Sequence, residues 1–258
     1  FGMKVAHAVG AEVTQMIAVG IAATRRHAVA GFVDVRLGGA MAPSIIAGTF
    51  GGKPALDGLK SLGDMTLHGQ SVPVITLAVS VIFILLLSGI GLYLWRAGDA
   101  PLPEGVGGPL CWPNGPLTIS LPDSGIRRCS LVSITGCGLL LGFLAGMLGI
   151  GGGVLLVPLL ILGFGLPLRM AIGTGPLLIL FSALFSTANH ALAGNVGMRI
   201  VVALLAGSTF GVQIGAWHSH RLHLAHLRRS FAVLVLRVVA IVFLRLLGYF
   251  FPFGAIFA

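Results

Sequence analysis

The sequence predicts an all-α integral membrane protein, a polytopic helix bundle in which glycines break at least one helix. The composition is the first reason: 56% of the 258 residues are hydrophobic and only 9% are charged, against about 25% charged residues in soluble domains. The second reason is a glycine cluster inside residues 131–164, a stretch without a charged side chain. In lipid, irregular backbone survives only where protein or a water-filled cavity satisfies its polar groups. The cluster is therefore the first candidate for a functional site.

Seven apolar segments are long enough to cross a bilayer, which takes about 20 helical residues. An eighth, residues 154–164, is too short to cross alone. A stretch rich in proline and glycine follows the third segment and predicts a loop with turns rather than a helix. The seven segments are residues 5–23, 35–50, 72–95, 131–148, 168–192, 200–217 and 230–250.

The two halves of the chain repeat. Sliding the sequence by 163 residues makes 14 of the first 52 positions identical without a gap, which exceeds chance even in this biased composition. We therefore predict repeat 1 at residues 1–96, a linker at 97–129 and repeat 2 at 130–258. Residues 130–163 of repeat 2 have no counterpart in repeat 1, so the same offset predicts about 34 further residues before Phe1, with a first glycine cluster. The identical pairs include Gly10 and Gly173, Thr24 and Thr187, His27 and His190, and Gly31 and Gly194.

Basic residues at three places predict the orientation. Placing all three groups in the cytoplasm satisfies the positive-inside tendency and predicts a multi-pass protein of a bacterial inner membrane. Residues 131–164 must then enter and leave on one side, so the repeats are inverted, as in many secondary transporters. If that segment crosses instead, the repeats are parallel. The groups are Arg25, Arg26 and Arg36; Arg96, Arg127 and Arg128; and Arg221, Arg228 and Arg229.

The glycine cluster and the next span supply the candidate substrate site. A half-helix that begins after the glycines presents free N–H groups and the positive end of its dipole, and both attract an anion. Thr174 offers a hydroxyl to the same anion, and Gly173 leaves its surroundings open. The structural alternatives are a glycine kink for close packing and a threonine that enters or back-bonds to its own helix. The candidate residues are Gly149, Gly151, Gly152, Gly153, Gly173 and Thr174.

Glu12 is the one acidic residue inside a predicted span. An ionisable group at such depth is costly and marks a functional position by default. We therefore name Glu12, with Gln15 one turn further on, as the candidate for proton coupling. The alternatives are a Glu near the membrane interface, and a neutral Glu hydrogen-bonded to Gln15 or Thr14.

Other patterns predict packing or lipid contact. Three cysteines, at 111, 129 and 137, match neither a zinc nor a redox spacing, and an odd number does not suggest a disulfide framework. Four histidines within residues 218–226 lack acidic partners and favour a lipid-headgroup surface over a metal site. The side chains of Arg237 and Arg245 either extend along the helix to bring their charged ends to the membrane surface, or line an anion path. A stripe of small residues, on which a helix can pack closely, is formed by Ser44, Gly48 and Gly52 and by their counterparts Gly207, Gly211 and Gly215.

We find no positive case for an enzyme, a cofactor or a metal. The third glycine of a dinucleotide-binding loop would fall on Val154, and no Gly-Lys-Ser/Thr follows the cluster. No catalytic triad or pair of carboxylates can be assembled within the spans. The net charge of +9 is explained by topology rather than by a nucleic-acid partner.

The motifs of the second half follow a familiar order: residues 149–153 with Val157-Pro158, then 165–167, 171–174 and 190–196. This order resembles the second repeat of the TauE/SafE sulfite exporter family of membrane anion permeases. In the first half, residues 30–36 resemble the family's Gly-x-Val-Asp loop. The resemblance implies transport of small, often sulfur-containing anions such as sulfite or organosulfonates. Gly175 stands where the family usually has Ser, which removes one hydroxyl from the implied site.

These observations predict a secondary transporter whose partners are a small anion, the lipid bilayer and, in a homo-oligomer, other copies of the chain. The alternative from another class is a non-transporting membrane subunit that anchors a partner enzyme through its linker. A passive pore is a third option.

Overall fold

The computed structural model describes residues 5–60, 64–67, 70–97, 107–111, 117–148 and 153–250. Within these residues the chain forms eight α-helices, one π-helical turn and two β-hairpins. The helices are α1 (Val5–Val29), α2 (Val35–Lys60), α3 (Val74–Ala97), α4 (Leu131–Leu148), α5 (Gly153–Pro158), α6 (Leu168–Leu192), α7 (Met198–Arg221) and α8 (Leu224–Phe250). The strands are β1 (Asp64–Leu67) with β2 (Gln70–Pro73), and β3 (Thr118–Leu121) with β4 (Ile126–Ser130).

Each of the seven apolar segments predicted from hydropathy forms a helix, except that residues 72 and 73 of the third belong to β2, and α4 and α6 have the predicted bounds. The short eighth segment forms α5 followed by a π-helical turn at Leu159–Gly163, where Phe164 N–H bonds back to the carbonyl of Leu159. By length and hydropathy alone, two described helices qualify as membrane spans, Leu168–Leu192 and Met198–His218.

Helices α1 and α6 end in the same way. Gly31 and Gly194 adopt positive φ angles of 75° and 68°, a conformation that glycine reaches without steric cost. The next residue then bonds back into the last turn: Phe32 N–H to the carbonyl of His27, and Asn195 N–H to that of His190, both at 2.9 Å. The two turns are related by the 163-residue offset.

The described contacts divide the chain into two compact units, and the first holds residues 1–53 and 101–222. In this unit α1 and α6 pack in antiparallel directions. A Cβ on Gly10, early in α1, would collide with the carbonyl oxygen of Asn195, just after α6. A Cβ on Gly173, early in α6, would collide with that of Phe32, just after α1. Each helix therefore begins beside the end of the other.

The glycine stripe of the first half packs as predicted. Gly48 of α2 lies against the backbone of Leu139 and Phe143 in α4, and α4 presents its own glycines, Gly138, Gly142 and Gly146, to α2. Small residues on both helices let the backbones approach closely. The counterpart glycines of α7, at 207, 211 and 215, have open space instead, because a Cβ placed on any of them meets no atom of the described residues within 4 Å.

The second unit holds residues 54–100 and 223–258. Its described core is the pair α3 and α8, where Gly91 of α3 lies against the side chains of Leu236 and Val235. The hairpin β1–β2 leads directly into α3.

The described part of the linker contains structure that the sequence did not indicate. Residues 118–130 form the antiparallel hairpin β3–β4, and Cys111 is disulfide-bonded to Cys129, with Cα atoms 4.4 Å apart. The odd number of cysteines gave no indication of this disulfide. A disulfide requires Cα atoms within about 7 Å, and here the fold of the linker meets that condition, which spacing alone does not reveal. Cys137 is free.

Candidate functional site

The broken segment leaves and returns at one end of the first unit. Cys129 lies two residues before α4, and its disulfide partner Cys111 has its Sγ atom 3.6 Å from the carbonyl oxygen of Phe164, just after the π-helical turn. Gly108 N–H also bonds to Phe164, and Leu110 N–H to Gly163, both at 2.9 Å. Both ends of residues 131–164 therefore meet the linker. We call this end of the unit the linker end and the opposite one the far end.

The half-helix after the glycines packs against the start of α6. A Cβ on Gly175 would lie 3.2 Å from Val157 and 3.3 Å from Leu156, both in α5. Of the predicted cluster, Gly153 begins α5, and Gly149, Gly151 and Gly152 lie outside the described residues. The fold thus brings the second half of α5 next to the part of α6 that carries Thr174.

Thr174 is completely buried, and its Oγ1 accepts a hydrogen bond from the backbone N–H of Asp34 at 2.9 Å. The threonine does not bond back to its own helix, which was one alternative. Its hydroxyl proton donates to no acceptor among the residues described. Because a hydroxyl can accept and donate at once, Thr174 retains a donor for a ligand.

Gly173 has a different role from the one expected. The sequence suggested that it keeps the surroundings of Thr174 open, but the carbonyl oxygen of Phe32 fills that space. Close approach of two backbones explains the glycine, so the expected open space is wrong. His27 also lies at this contact, with its Cβ 3.2 Å from a Cβ placed on Gly173.

Glu12 lies far from Thr174. It follows Gly10 at the far end of the unit, whereas Thr174 follows Gly173 at the linker end. At 1.5 Å per residue, the antiparallel packing separates the two by about 20 Å along the helix axis. Glu12 is half-buried, and the bond to Gln15 or Thr14 that was one alternative does not form among the described residues. Thr14 donates to the carbonyl of Gly10 at 2.6 Å, and the buried Oε1 of Gln15 has no described partner.

The sequence did not single out several polar residues of this region. Asp34 is buried beside Thr174, and Ser124 is buried beside Asp34. Ser182 and Ser186 follow Thr174 on the buried face of α6 at spacings of eight and four. The Gly-x-Val-Asp loop was a signal for Asp34. Nothing local marks Ser124, because it meets Asp34 across 90 residues of sequence. The described residues contain no group of three or more His, Cys, Asp or Glu side chains that could hold a metal ion.

The family described as "Sulfite exporter TauE/SafE" has a sequence profile that matches residues 1–243. The chain belongs to this family. Its TauE/SafE relatives include the "Probable membrane transporter protein YunE" of Bacillus subtilis (strain 168), 33% identical over 100 residues, which are 39% of this chain and 35% of that protein. A "Probable membrane transporter protein" of Xylella fastidiosa (strain Temecula1 / ATCC 700964) is 32% identical over 122 residues, 46% of each chain.

The matches to these TauE/SafE proteins thus span between about a third and a half of the relatives' length. No solved structure matches the chain significantly. The family is one of membrane transporters, which agrees with the apolar helices and identifies this chain as a membrane protein.

Proposed function

We propose that this protein is a secondary transporter that moves small, sulfur-containing anions such as sulfite or organosulfonates across the cell membrane. Membership of the TauE/SafE family carries this proposal, and the two relatives described as probable membrane transporters support it. The buried polar residues of α6, which face protein rather than lipid, fit a pathway better than a passive anchor.

The proposed architecture is a pair of inverted repeats. Its support is the exchange of contacts between α1 and α6: Gly10 meets Asn195, and Gly173 meets Phe32. The 163-residue offset converts one contact into the other. Equivalent helices that run antiparallel enter a membrane from opposite sides, as in transporters with inverted-topology repeats.

In the proposed site an anion lies between the glycine cluster and α6. The amides of Gly151, Gly152 and Gly153 and the dipole of the helix that they open would donate to it, with Gly149 giving the chain room to turn. The free proton of Thr174 would complete the set of donors. The contact of Leu156 and Val157 with Gly175 supports this placement, because it holds α5 against the turn of α6 that carries Thr174.

Coupling to protons through Glu12 and Gln15 is part of the proposal. With about 20 Å along the axis between Glu12 and Thr174, Glu12 cannot touch an anion held by Thr174. Coupling would therefore work through a movement of α1 against α6, along the interface that Gly10 and Gly173 form.

Uptake of radiolabelled sulfite into proteoliposomes that contain the purified protein tests the function. We expect saturable flux, which Gly152→Val and Thr174→Ala lower by about tenfold or more. The valine places a branched side chain where the backbone amides must approach the anion, and the alanine removes a hydroxyl donor. The exposed Thr118→Ala in the linker hairpin is the matched control and should transport normally. An inactive wild type, or Gly152→Val and Thr174→Ala proteins as active as Thr118→Ala, would favour the anchoring subunit instead.

A further inference from the structure

Asp34 joins three elements of the first unit. It immediately precedes α2 and is fully buried. Its Oδ1 accepts the N–H of Leu37 at 2.9 Å, its Oδ2 accepts the hydroxyl of Ser124 at 2.5 Å, and its own N–H donates to Thr174 Oγ1 at 2.9 Å. The carboxylate thus connects α2 with the linker, and the backbone of the same residue contacts α6.

A helix cap accounts for only one of these bonds. Asp at the position before a helix normally accepts an N–H from the first turn, as Oδ1 does from Leu37. A buried carboxylate without further partners is costly, and no lysine or arginine forms an ion pair with Asp34 among the residues described. The hydroxyl of Ser124 is the second partner, so the position of the linker determines how well Asp34 is satisfied.

Ser124 is itself held in place. It lies in the turn between β3 and β4, where its N–H bonds to the carbonyl of Leu121 at 3.2 Å. The Cys111–Cys129 disulfide ties this hairpin to residues 107–111, which bond to Gly163 and Phe164 at the end of the broken helix. Movement of the broken helix at this end therefore reaches Ser124 through covalent and hydrogen-bonded contacts.

The bond from Asp34 N–H also fixes the Thr174 hydroxyl. It occupies an acceptor lone pair of Oγ1 and directs the hydroxyl proton away from the start of α2. If Asp34 shifts with the linker, Thr174 Oγ1 loses this hydrogen bond. The hydroxyl proton of Thr174 is then no longer held in one orientation.

We infer that Asp34 is a positioning residue that transmits the position of the linker hairpin to the Thr174 hydroxyl. The inference rests on the proposed function, because it makes the linker part of the anion site. It assigns Ser124 a role in substrate affinity, although Ser124 is not itself placed against the anion.

The kinetic test compares Ser124→Ala with Ser120→Ala, an exposed serine of the same hairpin. In sulfite uptake by proteoliposomes, we expect Ser124→Ala to raise KM by about tenfold with little change in maximal rate, since a bond to a charged group is lost. Ser120→Ala should leave both values unchanged, and Ser124→Thr, which keeps the hydroxyl, should restore KM. In a Thr174→Val background, Ser124→Ala should have no further effect. Equal KM values for the two alanine variants would overturn the inference.

A second measurement does not depend on transport. Thr174→Cys, in a Cys137→Ala background with the native disulfide intact, places one buried free thiol at the site. We expect N-ethylmaleimide to label it several times faster when Ser124→Ala is added and at an unchanged rate when Ser120→Ala is added. Equal labelling rates overturn the inference whether or not the protein transports sulfite. If the wild type shows no sulfite flux but the labelling rates differ, only the proposed function is overturned.

Discussion

At the residue scale, Gly10 and Gly173 decide how closely α1 and α6 approach. Neither has room for a Cβ, because a backbone carbonyl oxygen occupies the place in each case. A carbonyl within a fixed turn cannot move aside as the end of a flexible side chain can. The two glycines are therefore required for packing, whatever part Gly173 has in substrate binding.

We expect Gly10→Ala and Gly173→Ala each to destabilise the protein by about 1–3 kcal/mol, as other overpacked sites do. Gly39→Ala is the control, because Gly39 is exposed on α2 and a Cβ there meets nothing within 4 Å. The control should melt at the wild-type temperature or slightly above, since alanine favours helix over glycine by up to about 1 kcal/mol. Melting temperatures in detergent measure the three effects. If all three variants melt alike, the close approach of the two helices is wrong.

At the element scale, hydropathy located the helices accurately but gave no indication of the structure within the linker. Uncharged runs of 18 or more residues leave few alternatives to a helix in lipid, so the bounds of α4 and α6 could be read from the sequence. Turn-rich composition carries no comparable constraint. The contacts that order the linker, Cys111 with Cys129 and Ser124 with Asp34, depend on tertiary structure and not on local spacing. The sequence indicated Thr174 and, through the Gly-x-Val-Asp loop, Asp34, but for the same reason it did not indicate Ser124.

The disulfide makes a separate prediction about this element. Breaking a cross-link between residues 18 apart should cost about 3 kcal/mol in the chain-entropy description. We expect Cys111→Ser and Cys129→Ser to lower Tm equally and the double variant to lower it no further. Cys137→Ala, at the free cysteine of α4, is the control and should change Tm little. Additive losses in the double variant would show that the two cysteines act separately.

At the scale of the whole molecule, the arginines of the first unit lie mostly at the linker end. Among those that the structure describes in this unit, only Arg199 lies at the far end. The orientation that puts the linker end in the cytoplasm therefore follows the positive-inside tendency. The arginines of the linker end are Arg25, Arg26, Arg36, Arg127, Arg128, Arg169 and Arg221.

Two of these arginines also make contacts at the linker end. Arg169 donates to the carbonyl of Leu222 at 3.1 Å, and its guanidinium lies 5.6 Å from the centre of the Phe32 ring. Arg221 stacks on Trp217 at 4.0 Å. Charge and packing thus coincide at the ends of α1, α6 and α7.

This orientation is tested with a new cysteine at the exposed position 120, introduced as Ser120→Cys in a Cys137→Ala background. A membrane-impermeant maleimide should label it only after the cells are permeabilised. Labelling of intact cells would place the linker outside and reverse the orientation.

On the cytoplasmic assignment Cys111 and Cys129 face a reducing compartment, where disulfide bonds are usually transient or redox-sensing. A gel shift of the alkylated protein under reducing and oxidising growth reports their state.

The bond between Asp34 N–H and Thr174 has no equivalent at the other end of the α1–α6 pair, where the offset places Gly197 and Ala11. If the proposed halves exchange conformations during a transport cycle, one state keeps this bond and the other has no substitute. One hydrogen bond contributes about 1 kcal/mol net, which corresponds to roughly a fivefold difference in population. The two states of the transport cycle, each open to one side of the membrane, would then be unequally populated. Without substrate, the protein would be open to one side more often than to the other.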